Sequence, residues 1–128
     1  MITLFIVQSC ADAKDPAQTI NSFNGLVDEI HQVTTLAEVN MTDRTNNWYA
    51  VAYDDEHISE ELLEGLKVFV EQTNADVLVL LRLNGDKAYR SPRVFRRHIT
   101  IKDGSLMPEQ DVKFETVLNG WVLSNDID

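Results

Sequence analysis

The sequence predicts an α/β fold, an open sheet with flanking helices and a β-hairpin. Three observations point to it. Trp48–Tyr53 and residues 75–83 are apolar almost without a break, as strands buried on both faces are. Between them lies the best helical pattern of the chain, with Leu62, Leu63, Leu66, Phe69 and Val70 recurring at helical spacing. Asn84-Gly85-Asp86-Lys87 then marks a hairpin turn directly after the second apolar run.

The other elements follow in chain order. Ile2–Val7 reads as a first strand, too short to span a membrane and without the basic leader of a secretion signal. Asp15 and Pro16 supply an N-cap and a first helical residue for a short helix to about Phe23, closed by Asn24-Gly25. Residues 26–33 read as the second strand, with Val27 and Ile30 expected inward. Residues 34–47 are polar, rich in Thr and Asn, and show no convincing period.

Ser59 is the expected N-cap of the helix after Trp48–Tyr53, with Glu60 and Glu61 at its positive end, and Thr73-Asn74 ends it. Residues 88–101 return from the hairpin as a strand that Pro92 confines to an edge or breaks. Asp103-Gly104 is a further turn. Residues 114–123 fit a helix or a strand.

A chain of 128 residues is expected to form one domain, 1–128, around one core. Its 44% hydrophobic and 25% charged residues exclude a disordered chain. One cysteine, Cys10, excludes an internal disulfide framework and is compatible with a reducing compartment, so the expected location is cytoplasmic.

The net charge of −10 is unevenly spread. Residues 1–81 carry 14 acidic and 3 basic side chains, and residues 103–128 carry 6 and 1. Residues 82–102 invert the balance with 7 basic and 1 acidic, the basic ones being Arg82, Lys87, Arg90, Arg93, Arg96, Arg97 and Lys102. The general acidity excludes duplex nucleic acid as the partner, because most of the surface repels a phosphate backbone. A local basic patch facing an acidic cluster suits an anionic ligand bridged by a cation.

The acidic cluster is Asp54-Asp55-Glu56, at the end of the Trp-led strand. Ligands of open α/β sheets bind outside the carboxyl ends of the strands. Carboxylates there can hold a hard divalent cation, and through it the phosphates of a substrate. Asp54, Asp55 and Glu56 are therefore the metal candidates.

Taken in order, these pieces resemble the family 2 glycosyltransferases of the nucleotide-sugar (GT-A, Rossmann-like) fold. The matching stretches are LVDEIHQV at 26–33, WYAVAYDDEHISEEL at 48–62 and PRVFRR at 92–97. The resemblance implies a minimal GT-A-like domain that takes a sugar from a nucleotide-sugar donor to an unknown acceptor, with Mn or Mg as cofactor. It implies diphosphate contacts by Arg93, Arg96 and Arg97. It also implies a general base a short way beyond the arginines, where Glu109 stands, with Asp111 and Glu115 as neighbours.

Two departures are visible. Only residues 34–47 stand where the family carries a longer nucleotide-contacting segment, and Tyr53 stands at the first position of the D-x-D-E motif. They support the alternative of a non-catalytic binding or structural module on a degenerate glycosyltransferase fold. So small a domain leaves little room for an acceptor, and a homo-oligomer would let a second copy complete that site.

Each candidate also has a plainer reading. The three acids can serve the following helix terminus, and the arginines can protect an exposed strand edge. His57 and His98 read as surface residues, Trp48 and Trp121 as core aromatics, and Cys10 as a packed side chain rather than a nucleophile.

Overall fold

The computed structural model describes residues 1–124; the last four residues of the predicted domain lie outside the described residues. Among the described residues the chain runs β1 (Ile2–Val7), α1 (Ala17–Ser22), β2 (Val27–Val33), α2 (Ala37–Met41), β3 (Trp48–Tyr53), β4 (Glu56–Ile58), α3 (Glu60–Gln72), β5 (Val77–Asn84), β6 (Lys87–Arg96), β7 (Phe114–Thr116) and β8 (Val122–Ser124). The strands form one mixed sheet in the order β2-β1-β3-β6-β5-β8-β4, with β7 also on β5. No helix among the described residues is long and apolar enough to cross a membrane.

β1 is parallel to both β2 and β3, so three carboxyl ends meet at one side of the sheet. Two bonds tie those ends together: Gln8 N–H donates to the Val33 carbonyl (3.0 Å) and Asp54 N–H to the Val7 carbonyl (3.0 Å). β6 turns antiparallel against β3 and β5. The sheet then curls, because β4 follows β3 after a two-residue turn yet pairs with β8 at the far end of the order.

Continuous apolarity of β1 and β3 follows from cores on both faces. Leu4, Ile6, Trp48, Ala50 and Ala52 pack with Leu62 and Leu66 of α3. Phe5, Val7, Tyr49 and Val51 pack on the other face with Val39 of α2 and with Ile99 and Ile101. α3 is built as its sequence requires: Ser59 Oγ accepts the Leu62 amide (3.3 Å), Glu60 and Glu61 occupy the first turn, and Thr73 ends it.

Several expectations change. Val27 and Ile30 cannot share one face of a strand, where side chains alternate with period two; Ile30 is 41% exposed, and the inner positions of β2 fall to Val27, Glu29, His31 and Val33. Residues 37–41 form a short helix that the polar 34–47 segment hides. Pro16, not Asp15, takes the N-cap position of α1 and the helix begins at Ala17, with the Asp15 carboxylate one residue further out accepting the Ala17 amide (3.0 Å).

Pro92 does not break β6, but it lies where β6 pairs with β5 alone, a local edge. It sits opposite Val79 beside a register shift in the β5–β6 ladder, and the β3 ladder has ended before it, at Ala50↔Val94. Gly85 at φ +64 forms the first central position of the two-residue hairpin turn closed by Asn84↔Lys87. Residues 114–123 resolve into two short strands, β7 and part of β8. Trp121 is 36% exposed and Cys10 is exposed, so neither is a core residue, whereas Trp48 is buried.

Candidate functional site

The acidic turn lies where the strand pattern puts it, at the carboxyl end of β3 beside the ends of β1 and β2. A strand, β4, separates it from α3, so Glu56 belongs to a strand and not to the helix terminus. The three carboxylates point to three different sets of partners.

Asp54 is buried and holds the 8–14 loop across the end of β1. Its Oδ1 accepts the Ser9 amide (3.1 Å) and its Oδ2 the Lys14 amide (3.0 Å). Burial pushes its carboxyl up, but the donors of Ser9 and Lys14 and the Lys14 charge outweigh that and keep it below the usual range.

Glu56 is 3% exposed and is held by two guanidinium groups. Arg93 donates from Nη1 to Oε1 (2.6 Å) and from Nη2 to Oε2 (2.9 Å), and Arg82 donates from Nε to Oε2 (2.6 Å). The Tyr53 amide donates to Oε1 (2.9 Å). Burial drives this carboxyl up, and the hydrogen bonds and charge of Arg93, with the Tyr53 amide and Arg82, hold it below its ordinary value.

This ion group has a backbone role. β3 and β6 part after Ala50↔Val94, which leaves the outward groups of Val51 and Tyr53 without ladder partners. Arg93 Nη1 donates to the Val51 carbonyl (3.3 Å), and Glu56 takes the Tyr53 amide. Two side chains therefore complete a ladder that the strands do not, as buried backbone groups require.

Asp55 differs from both neighbours. It is half-buried at the tip of the turn, its own amide donates to it, and its carboxyl is pushed up by burial and by the charges of Glu56 and Asp54. Beside it Tyr53 rests over Arg93, with the guanidinium carbon 5.6 Å from the ring centre. The Tyr53 phenol is raised by burial, partly opposed by Arg93.

The arginines expected to meet a diphosphate do not converge on this turn. Arg93 is enclosed at 4% exposure and donates from Nε to Ser91 Oγ (2.8 Å). Arg96 pairs in register with Trp48, at the opposite end of β3, and Arg97 lies next to it with Nη1 on the Thr45 carbonyl (3.0 Å). Six residues of strand separate those two ends by about 17 Å. Glu109 is exposed, its amide on the Thr100 carbonyl (2.8 Å), in the segment that follows the Arg96 end of β6. Asp111 and Glu115 are exposed as well. His98 is exposed, and the half-buried His57 lies 3.5 Å from Gln18 Nε2 through Nδ1.

Sequence reasoning missed the role of Arg82, although a signal was present. The turn at 85–86 fixes the pairs Arg82↔Tyr89 and Leu80↔Ser91, and strand alternation then puts Arg82 and Ser91 on one face, while Arg93 falls in the register shift that the turn does not announce. Arg44 had no such signal. It stacks on Tyr49 (4.1 Å to the ring centre) and donates to the carbonyls of Val39 (2.7 Å), Arg97 (3.0 Å) and Ile99 (3.0 Å), pinning residues 97–101 against α2.

Among the described residues no group of three His, Cys, Asp or Glu side chains is gathered closely enough to hold a metal ion. Asp54 faces the 8–14 loop and Glu56 faces the arginines, so a cage made wholly of protein carboxylates does not fit here. Asp55 alone suits a hard cation of the kind that keeps most of its water and takes one carboxylate together with phosphate oxygens.

No family model and no curated protein matches the sequence. Solved structures do match the fold. The chain superposes on S. aureus TarS 1–349 with a TM-score of 0.62 at 12% identity, over 97% of its own length and 60% of that chain. For TarS in complex with UDP-GlcNAc the TM-score is 0.53 at 11% identity, over 94% and 60%. For TarS with UDP it is 0.53 at 12% identity, over 91% and 61%. The chain thus spans about 60% of the TarS structures it matches, and its curled open sheet with flanking helices is a GT-A-like fold.

Proposed function

We propose that this protein binds a nucleoside-diphosphate sugar across the carboxyl ends of β1, β2 and β3. The observation that carries the reading is the superposition, over more than nine-tenths of the chain, on TarS in complex with UDP-GlcNAc and with UDP. The tied strand ends, the loop held by Asp54 and the half-buried tip at Asp55 lie where an open α/β sheet receives its ligand.

In this reading Asp55 holds Mg²⁺ or Mn²⁺ against the diphosphate, and water and phosphate oxygens supply the remaining ligands. Asp54 and Glu56 shape the turn that presents it. A metal ion alone then binds weakly, and the nucleotide recruits it. When bound, the cation would neutralise diphosphate charge.

A second reading, of binding without sugar transfer, is favoured by two observations. Arg82 and Arg93 occupy both Glu56 oxygens, and Glu109, the expected base, is exposed, with its amide on the Thr100 carbonyl in the segment after β6.

Calorimetric titration with UDP and UDP-GlcNAc, with and without Mg²⁺ or Mn²⁺, tests both. Saturable binding that strengthens with metal in the wild type, and loses that gain in Asp55→Asn, supports the nucleotide and cation assignments. A well-folded protein that binds neither nucleotide refutes the first reading. Release of UDP in the presence of sugar acceptors would refute the second.

A further inference from the structure

A cavity of about 430 Å³ opens at the amino ends of β1 and β3, the opposite end of the parallel strands from the acidic turn. Trp48, Leu26 and Val70 supply its apolar lining, Arg96 and Lys67 its cations, and Glu71 its acidic side chain.

The Arg96 guanidinium is preorganised. Its carbon lies 4.1 Å from the centre of the Trp48 ring, Nε donates to the Ala75 carbonyl (3.0 Å) and Nη2 to the Thr73 carbonyl (2.8 Å). Nη1 makes no hydrogen bond among the described residues, which leaves both of its N–H groups as donors. Lys67 completes the pair from α3. Gly25, at φ +93, leaves the space beside it: a Cβ there would lie 3.3 Å from Lys67 Nζ.

The ion partner of Lys67 is Glu64, at 3.1 Å, but that side chain is 70% exposed and competes weakly in water. At physiological salt, charges farther than ~8 Å are largely screened, so the local balance is set by Arg96 and Lys67 against Glu71 of the same lining and the exposed Glu64.

We propose that this cavity binds a small phosphorylated molecule, with Arg96 Nη1 and Lys67 Nζ on the phosphate, the half-buried Val70 against its body, and the buried Trp48 and Leu26 as the floor. Guanidinium and ammonium donors suit phosphate oxygens, and the volume falls within the range of small-ligand sites. The inference is independent of the nucleotide site, because the length of β3 separates the two.

Titration with inorganic phosphate and, separately, glucose 6-phosphate at low ionic strength tests it, read by NMR at the Trp48 indole N–H, the Arg96 Nε–H and the Gly25 amide. Saturable shifts are expected at all three, tighter for the sugar phosphate. Lys67→Gln, a change at a side chain already 37% exposed, should leave the spectrum folded and weaken binding about tenfold, the loss of one charge-assisted hydrogen bond. Arg96→Gln should abolish it. Absence of saturation up to ~20 mM, where even an affinity worth only a few kcal/mol would register, overturns the proposal. So do shifts that persist unchanged in both variants, or that appear at residues 53–57 instead.

Discussion

Removing the Glu56 carboxylate should be among the most damaging single changes in this protein. Glu56→Ala leaves Arg93, at 4% exposure, with a buried charge and no carboxylate, and it strips Arg82 and the Tyr53 amide of their acceptor. Breaking a buried ion pair from one side costs about 3–5 kcal/mol. With ~2.1 cal/mol/K of unfolding entropy per residue over 128 residues, that is a fall of roughly 11–19 °C in Tm. Urea unfolding at pH 7 and thermal melts of the wild type, Glu56→Ala, Arg93→Met and the double variant form the assay. The double variant should lose less than the sum of the singles, because the buried Arg93 charge is gone and only Arg82, 11% exposed, is left without its carboxylate. A single-variant loss under ~1 kcal/mol, the range of a surface pair, would refute the account of the turn.

The same group sets a pH dependence. The folded Glu56 carboxyl lies below its ordinary value of 4.5, so its stabilisation is complete above that pH and is lost as pH falls through the lower folded value. The wild-type stability curve should therefore drop on the acid side of 4.5 more steeply than that of Glu56→Gln, a comparison read by urea unfolding at several pH values. Asp55 has the opposite sign. Its folded carboxyl lies above the usual 3.8, so its charged form is disfavoured in the fold, and Asp55→Asn should stabilise the protein at neutral pH while removing the metal gain in nucleotide binding. Arg44→Met should free residues 97–101, raising amide hydrogen exchange at Ile99 and Ile101 with α3 unchanged. Gly120→Ala should cost more than ~2 kcal/mol, since φ is +82 and a Cβ would press to 2.7 Å from the Leu62 amide nitrogen at the α3 N-cap; a neutral melt would contradict the packing there.

The sequence revealed what local patterns encode. β1, β3, α3 and the β5–β6 hairpin follow from apolar runs, one helical stripe, the Ser59 cap and one turn. Period and propensity were weaker guides elsewhere. α2 is five residues long, below the length at which a stripe can register, and β7 and β8 have three residues each, held by β5 and by β4 respectively rather than by their own composition. The acidic turn was placed correctly on its strand, but the fates of its three carboxylates were not visible. Glu56 meets Arg93 across 37 residues and Asp54 meets Lys14 across 40, contacts that only the curl of the sheet and the closure of the first loop create. Arg96 likewise reads as part of a basic cluster until the register against Trp48 sends it to the other end of the strand.

The most direct test of the nucleotide site is an amide-resolved NMR titration with UDP-GlcNAc in the presence of Mg²⁺. The account predicts saturable shifts concentrated in residues 8–15, 34–36 and 53–57, with α3's outer face and residues 102–112 unmoved. Saturable shifts confined to any other surface, or no shifts in a folded protein at millimolar nucleotide sugar, would contradict it.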